Sequence, residues 1–229
     1  MQRYAWNAII AEFGGTFLFF FVGIGAQTII TTGGGSLVTV ALANGLVLAA
    51  LVSALGAISG GHLNPAVTFS LWLASRIEAR RAAAYVVAQL IGAVLAANAI
   101  AVVFGSTTAA ADGTPALGSG VDVTRGTAIE AILTAVLLAA VFGTAVDPRK
   151  PNIGGLAIGL AIAADILMGG PLTGAAMNPA RWFGPAVVSG DYDNAMVWIA
   201  GPLVGAAVIA VIWRLLFLPQ ADAQTGADI

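Results

Sequence analysis

Apolar residues in this chain come in long unbroken blocks, with the polar residues gathered into short intervals between them. A membrane helix needs roughly 20 mainly apolar residues. Six blocks qualify: about 8–30, 37–58, 82–104, 126–146, 153–170 and 196–218. In lipid each such segment must close its backbone hydrogen bonds within itself, so each is predicted to be a helix. The fifth is short and contains Asp165. Its small residues Gly154, Gly155, Ala157, Gly159, Ala161 and Ala163 suit close packing against another helix.

Two further apolar blocks, about 64–74 and 178–188, are too short to cross. At 1.5 Å per residue, about 11 residues cover roughly 16 Å, half of a ~30 Å hydrocarbon core. Each follows a Gly-rich approach, Ser59-Gly60-Gly61-His62-Leu63 in one case and Gly169-Gly170-Pro171-Leu172-Thr173-Gly174 in the other. Each opens on the same tripeptide, Asn64-Pro65-Ala66 and Asn178-Pro179-Ala180. Asn is a good N-cap, and Pro fits the first helical turn, where its missing N–H has no role. Two such half-helices entering from opposite sides would meet midway and make one composite span.

The two halves repeat. Glu12 opens the apolar part of the first span and Glu130 that of the fourth, and Asn64 and Asn178 lie 114 positions apart. Gln89-Leu90-Ile91-Gly92-Ala93 matches Pro202-Leu203-Val204-Gly205-Ala206 at a separation of 113. Three spans per half turn the second copy over, and sites in such inverted repeats form at the repeat interface near the midplane. The predicted fold is an all-α membrane protein of six transmembrane helices and two re-entrant half-helices. It is a single membrane domain over 1–229, with repeats at about 8–104 and 126–218 joined by an outer loop, 105–125.

Composition sharpens this picture. Hydrophobic residues make up 59% of the 229 and charged residues only 9%. That is well below the roughly 25% charged of a soluble domain. The net charge of −2 comes without a basic run, which argues against nucleic acid. With no cysteine and His62 as the one histidine, neither a thiolate nor a histidine metal site is expected, nor any cofactor. Arg3, Arg76, Arg80, Arg81, Arg149, Lys150 and Arg214 fall on the side of the two termini, and only Arg125 in an opposite loop. Both termini are therefore expected in the cytoplasm. The apolar run after residue 7 is too long for a signal peptide and is taken as the first span.

With these motifs in place, the sequence resembles the aquaporin (major intrinsic protein) family over nearly its whole length. The first half carries Ser59-Gly60-Gly61-His62-Leu63-Asn64-Pro65-Ala66-Val67-Thr68. In the second half, Ala164-Asp165-Ile166-Leu167, Gly170 to Arg181 and Phe183-Gly184-Pro185-Ala186-Val187 are similar to the tonoplast intrinsic branch. The resemblance implies a passive water channel that also admits small neutral solutes such as ammonia, hydrogen peroxide or urea. It further implies a homotetramer with one pore per subunit, embedded in membrane lipid. The lack of targeting extensions and the Ala/Gly-rich composition point to a bacterial-type plasma membrane.

Residue by residue, Asn64 and Asn178 are expected to cap their half-helices and turn an amide donor to the solute. The two positive helix ends would disfavour cations and protons there. Arg181 stands in apolar sequence, where a charge needs water or a partner. It is expected to line a selectivity filter, or alternatively to pair with Asp165. The family's other filter positions fall by spacing on Asn44, Ile166 and Ala175. Strict water channels carry an aromatic and a histidine where this chain has Asn44 and Ile166, so a wider filter with one polar wall is expected. The bland alternative for Asn44 is a hydrogen bond between spans one and two. Glu12 and Glu130 would be costly unpaired, and the resemblance implies that they accept backbone hydrogen bonds from the re-entrant loops. Asp165 is expected to tether Arg181 or the second loop, or to cap loop backbone. His62 is expected in a vestibule, and Phe19, Phe20 and Phe21 in lipid contact or packing. Trp182 in place of an Asp after the arginine counts against a dedicated glycerol facilitator, the nearest alternative. A secondary transporter would need titratable groups at the midplane, where the sequence offers two neutral Asn residues. No nucleophile–base pair suggests an enzyme, and a purely adhesive role leaves Arg181 unexplained.

Overall fold

The computed structural model describes residues 2–106 and 111–218, with side chains from residue 6 onward. Thr107 and Thr108 of the outer loop and the Arg3 side chain lie outside this description. The helices are α1 Gln2–Thr31, α2 Leu37–Ser59, α3 Pro65–Leu73, α4 Ala79–Val103, α5 Val123–Val141, α6 Leu156–Thr173, α7 Pro179–Ser189 and α8 Ala195–Ile212. Single π-helical turns, Phe142–Val146 and Trp213–Phe217, extend α5 and α8. Among the described residues six helices are long and apolar enough to cross a membrane. The other two, α3 and α7, are the half-helices, and no strand occurs among the described residues.

The predicted spans fall within a few residues of the helices, with one systematic difference. The fifth runs to Thr173, so Gly169 to Thr173 are helix rather than loop. Pro171 cannot donate the hydrogen bond that a helix interior asks of it. The last turn is instead held from outside: Leu172 O accepts from Gly118 N at 2.9 Å, and Thr173 O from the indole of Trp198 at 2.9 Å. Gly174 then ends the helix at φ 77°, as Gly60 ends α2 at φ 96°. Both are left-handed conformations that glycine adopts without a Cβ clash.

Packing repeats by halves. α1 lies against α4 and α2 as α5 lies against α8 and α6, while α3 packs on α8 and α7 on α4. The halves join through α2 against α6 and through these two half-helix contacts. Lipid offers little hydrophobic drive between helices, so small residues that let backbones approach decide such contacts. A Cβ on Gly159 would meet the Gly45 backbone and Ala49, and one on Gly155 would meet Ala49 O and Val52. The small face anticipated for the fifth span is therefore the face that meets α2. Large apolar side chains such as Ile10, Leu46, Ile132 and Leu160 remain exposed on the outer surface, as lipid contact requires.

Candidate functional site

The half-helices begin where the sequence places them. Asn64 Oδ1 accepts from Ala66 N at 2.8 Å and Asn178 Oδ1 from Ala180 N at 3.0 Å, so each Asn caps its own helix. Each amide nitrogen then crosses to the other loop: Asn64 Nδ2 donates to Met177 O at 2.9 Å, and Asn178 Nδ2 to Leu63 O at 3.0 Å. This reciprocal tie was not anticipated. It leaves one of the two protons on each amide for a solute. To aim these carbonyls, Leu63 and Met177 take φ of 51° and 52°. For residues with a Cβ this left-handed region costs about 1–2 kcal/mol, so both loops hold strained backbone where they meet.

Buried carboxylates hold that strain. Glu12, fully buried in α1, accepts from His62 N at 2.9 Å, Leu63 N at 2.7 Å and the Ser59 hydroxyl at 2.7 Å. Glu130, fully buried in α5, accepts from Ala176 N at 2.9 Å, Met177 N at 2.7 Å and the Thr173 hydroxyl at 2.7 Å. Tyr85 donates to Ser59 O and Trp198 to Thr173 O, so an aromatic donor backs each loop. The halves differ at one point. Gln89 Nε2 donates to both Glu12 Oε2 and Thr68 Oγ1, at 2.8 and 3.0 Å, whereas its counterpart in the second half is Pro202. In the sequence Gln89 is legible only as a marker of the repeat. An amide inside an apolar span was the signal for its role.

Two cavities flank the junction. One cavity, of about 240 Å³, is lined by His62, Asn64, Arg76, Ile158 and Asn178 among others. The His62 ring stands edge-on to Tyr85, with Nδ1 3.1 Å from Thr68 Oγ1. On the other side, Asn44, Ile166, Ala175 and Arg181 come together around a cavity of about 20 Å³, which Asn178 also lines. That is room for about one water. The cavity is narrower than side-chain sizes at these four positions suggest, because Phe19 and Phe20 of α1 also line it. Phe19 reaches both cavities. Of the two expectations for these rings, lipid contact or packing, packing holds for Phe19 and Phe20, which are buried. Asn44 Nδ2 donates to Val40 O of its own helix at 2.9 Å, so no hydrogen bond to α1 is made.

Arg181 is buried, and its Nη1 donates to Gly113 O in the loop between α4 and α5. The loop is itself tied down by Thr31 Oγ1 donating to Asp112 Oδ2 at 2.9 Å and by Gly118 N bonding to Leu172 O. The expected tether from Asp165 is not formed. Asp165 is buried in α6 with Oδ2 unpartnered, and among the described residues the ion pairs are Arg125–Asp122 and Arg149–Asp147. A backbone carbonyl takes the place of the carboxylate because the 111–122 loop folds over the end of α6, as Gly174 against Pro115 shows. No cluster of His, Cys, Asp and Glu suited to a metal occurs among the described residues.

Comparison with known proteins agrees with this geometry. The profile of the Major intrinsic protein family matches residues 1–213. Aquaporin TIP4-4 of Zea mays is 45% identical over 226 residues, covering 93% of this chain and 88% of that protein. The lens fiber major intrinsic protein of Gallus gallus is 42% identical, covering 94% of this chain and 83% of its own length. Among solved structures, the aquaglyceroporin from Plasmodium falciparum superposes with a TM-score of 0.79 at 24% identity, over 93% of this chain and 96% of that one. That last likeness speaks for the fold alone.

Proposed function

This chain belongs to the major intrinsic protein family of passive membrane channels, and from that premise we propose that it conducts water in single file while excluding ions and protons. One observation carries the reading: two half-helices meet end to end through cross-tied Asn caps, between a wide vestibule and a cavity with room for one water. Water leaving the vestibule would accept the remaining proton of Asn64 and of Asn178, which turns its oxygen to the junction. The positive ends of both half-helices, each near half a unit charge, converge there and oppose cations. Arg181 adds a fixed positive charge at the narrow cavity.

Small neutral solutes are the second reading. It rests on Asn44, whose Oδ1 takes no hydrogen bond and offers an acceptor on the cavity wall that holds Arg181 as donor. Ammonia, hydrogen peroxide and urea can use both poles, whereas glycerol is bulky for this cavity. The arginine-rich side, with Arg76, Arg80, Arg81 and Arg214, would face the cytoplasm of a plasma membrane. The exposed apolar faces would meet lipid and the neighbouring copies of a homotetramer.

The test is stopped-flow light scattering on proteoliposomes, with water, urea, ammonia and glycerol in turn. Water permeability well above empty liposomes, with no proton leak, is expected. Permeability equal to empty liposomes for every solute would sink the channel reading. Flux that saturates or requires an ion gradient would favour a transporter.

A further inference from the structure

Gly23 of α1 has no role in the site described above, yet it lies directly behind one wall of the narrow cavity. An ideal Cβ built on it would overlap Asn44 Oδ1 and crowd Asn44 Cγ, 3.2 Å away. The amide orientation is settled by chemistry. Asn44 meets the Val40 carbonyl at 2.9 Å, and only the nitrogen end can donate to it, so the end lying over Gly23 is the oxygen. Among the described residues no hydrogen bond to that oxygen is made. Asn44 is nearly buried at 3% exposure and lines the cavity with Arg181, Ile166 and Ala175.

We propose that Gly23 and Asn44 form a coupled seat that sets the aperture of the narrow cavity, with the amide oxygen of Asn44 drawn back against Gly23 yet left without a hydrogen bond and within reach of the solute. The seat takes small solutes that donate an N–H or O–H. The missing side chain at Gly23 lets the amide lie back against α1. With a Cβ at that position, the oxygen has to move by about 1 Å to reach an ordinary van der Waals contact. The Val40 carbonyl holds the nitrogen and the new Cβ stands on the α1 side, so the oxygen shifts away from α1, toward the cavity that Asn44 lines. In a cavity of about 20 Å³ that shift is a large part of the free width. Gly23 is thus a positioning residue, and Asn44 is the group that meets the solute. The inference rests on the channel reading.

The experiment compares water and urea permeability per reconstituted channel for the wild type, Gly23→Ala, Asn44→Ala, Gly23→Ala/Asn44→Ala and Asn44→Leu. Gly14→Ala serves as the control, since a Cβ at Gly14 meets nothing within 4 Å in the same helix. Gly14→Ala should match the wild type. Gly23→Ala should lower water permeability about tenfold, the effect of one methylene in a fitted site. The double variant should return to the level of Asn44→Ala, which a merely misfolded helix would not do. Asn44→Leu keeps most of the volume and removes the acceptor, so its water permeability should also fall. Wild-type flux from Gly23→Ala, or a double variant as slow as Gly23→Ala, overturns the seat. Undiminished flux in Asn44→Leu overturns the acceptor. If Gly23→Ala does not insert, Asn44→Ala decides: urea relative to water must rise, and an unchanged ratio overturns the proposal. A wild type without water flux overturns the channel reading itself, which separates the two failures.

Discussion

At the scale of single residues, the acids in the membrane explain more than the motif that flags the fold. Glu130 satisfies two loop N–H groups and one hydroxyl in the second half, and Glu12 does the same in the first with Gln89 in addition. Removing a carboxylate strands buried donors at about 1–3 kcal/mol each. Glu130→Ala leaves Ala176 N, Met177 N and the Thr173 hydroxyl without it. We expect a loss of several kcal/mol and a collapse of water flux, measured by denaturation in mild detergent and by stopped-flow. Glu12→Ala should cost at least as much, because one N–H of Gln89 also loses its acceptor and keeps only Thr68 Oγ1 beside it. A variant as stable as the parent would show that water replaces the carboxylate. Asn64, Asn178, Glu12, Glu130 and Arg181 were legible in the sequence because a polar residue inside an apolar block needs a reason. The loops that Glu12 and Glu130 hold were expected as well, but the partners of the two Asn residues and of Arg181 were not, since Leu63 O, Met177 O and Gly113 O are backbone atoms that every residue carries. Asp165 was over-read for the same reason: a charge invites a charged partner, and the chain supplied a carbonyl for Arg181 instead.

At the scale of elements, small residues decide how closely α2 and α6 approach. Gly45 and Gly159 face each other backbone to backbone, and a Cβ on either would meet the other's carbonyl. Gly159→Leu should force these helices apart and lower stability by about 1–3 kcal/mol or more, as overpacking does. Because Ile158, Ile162 and Ile166 on the same helix line the cavities, flux should change with it. The spans were legible from apolar blocks, but the end of α6 was not. The sequence marks Gly170-Pro171 as a break, whereas Gly118 and Trp198, far away in the chain, sustain the helix past it. The π-helical turns are similarly fixed by distant contacts. Arg149 Nη2 donates to both Asp147 Oδ2 and Phe217 O at 2.6 Å, and Trp213 lies tilted against Phe142 and edge-on to Phe217. Hydrogen bonds from the Arg149 side chain and backbone N–H hold the Asp147 carboxyl at about 2. A depressed carboxylate contributes above its unfolded pKa of about 3.9 and loses its contribution as pH falls through the folded value. Trp213 emission, isolated by difference against Trp213→Phe, should therefore stay constant from neutral pH down to about 4 and change only below that. Asp147→Asn should show the altered emission at every pH.

At the scale of the whole molecule, the inverted repeat turns two weak local features into one junction. A single half-helix with an Asn cap has a loose end; two of them, each bonding the strained carbonyl of the other loop, fix both ends at once. The repeat was legible from spacing, yet its closure was not, because the tie runs between positions 113 and 115 residues apart, from side chain to backbone. The geometry makes the two caps energetically dependent. Asn64→Ala removes the cap on Ala66 N and frees Met177 O, with a cost of about 1 kcal/mol for the cap alone. It also releases the loop that places Leu63 O for Asn178, so part of what Asn178 contributes is already gone. A double-mutant cycle of Asn64→Ala and Asn178→Ala should therefore be less than additive by about 0.5–3 kcal/mol, the range for groups in one network. Denaturation in detergent gives the stability arm, and proton leak across proteoliposomes gives the functional one. If the two caps act through one junction, each single variant should leak nearly as much as the double. Additive losses in both arms would mean that the halves meet without holding one another, and the proposed exclusion of protons would then have to come from Arg181 and the narrow cavity rather than from the junction.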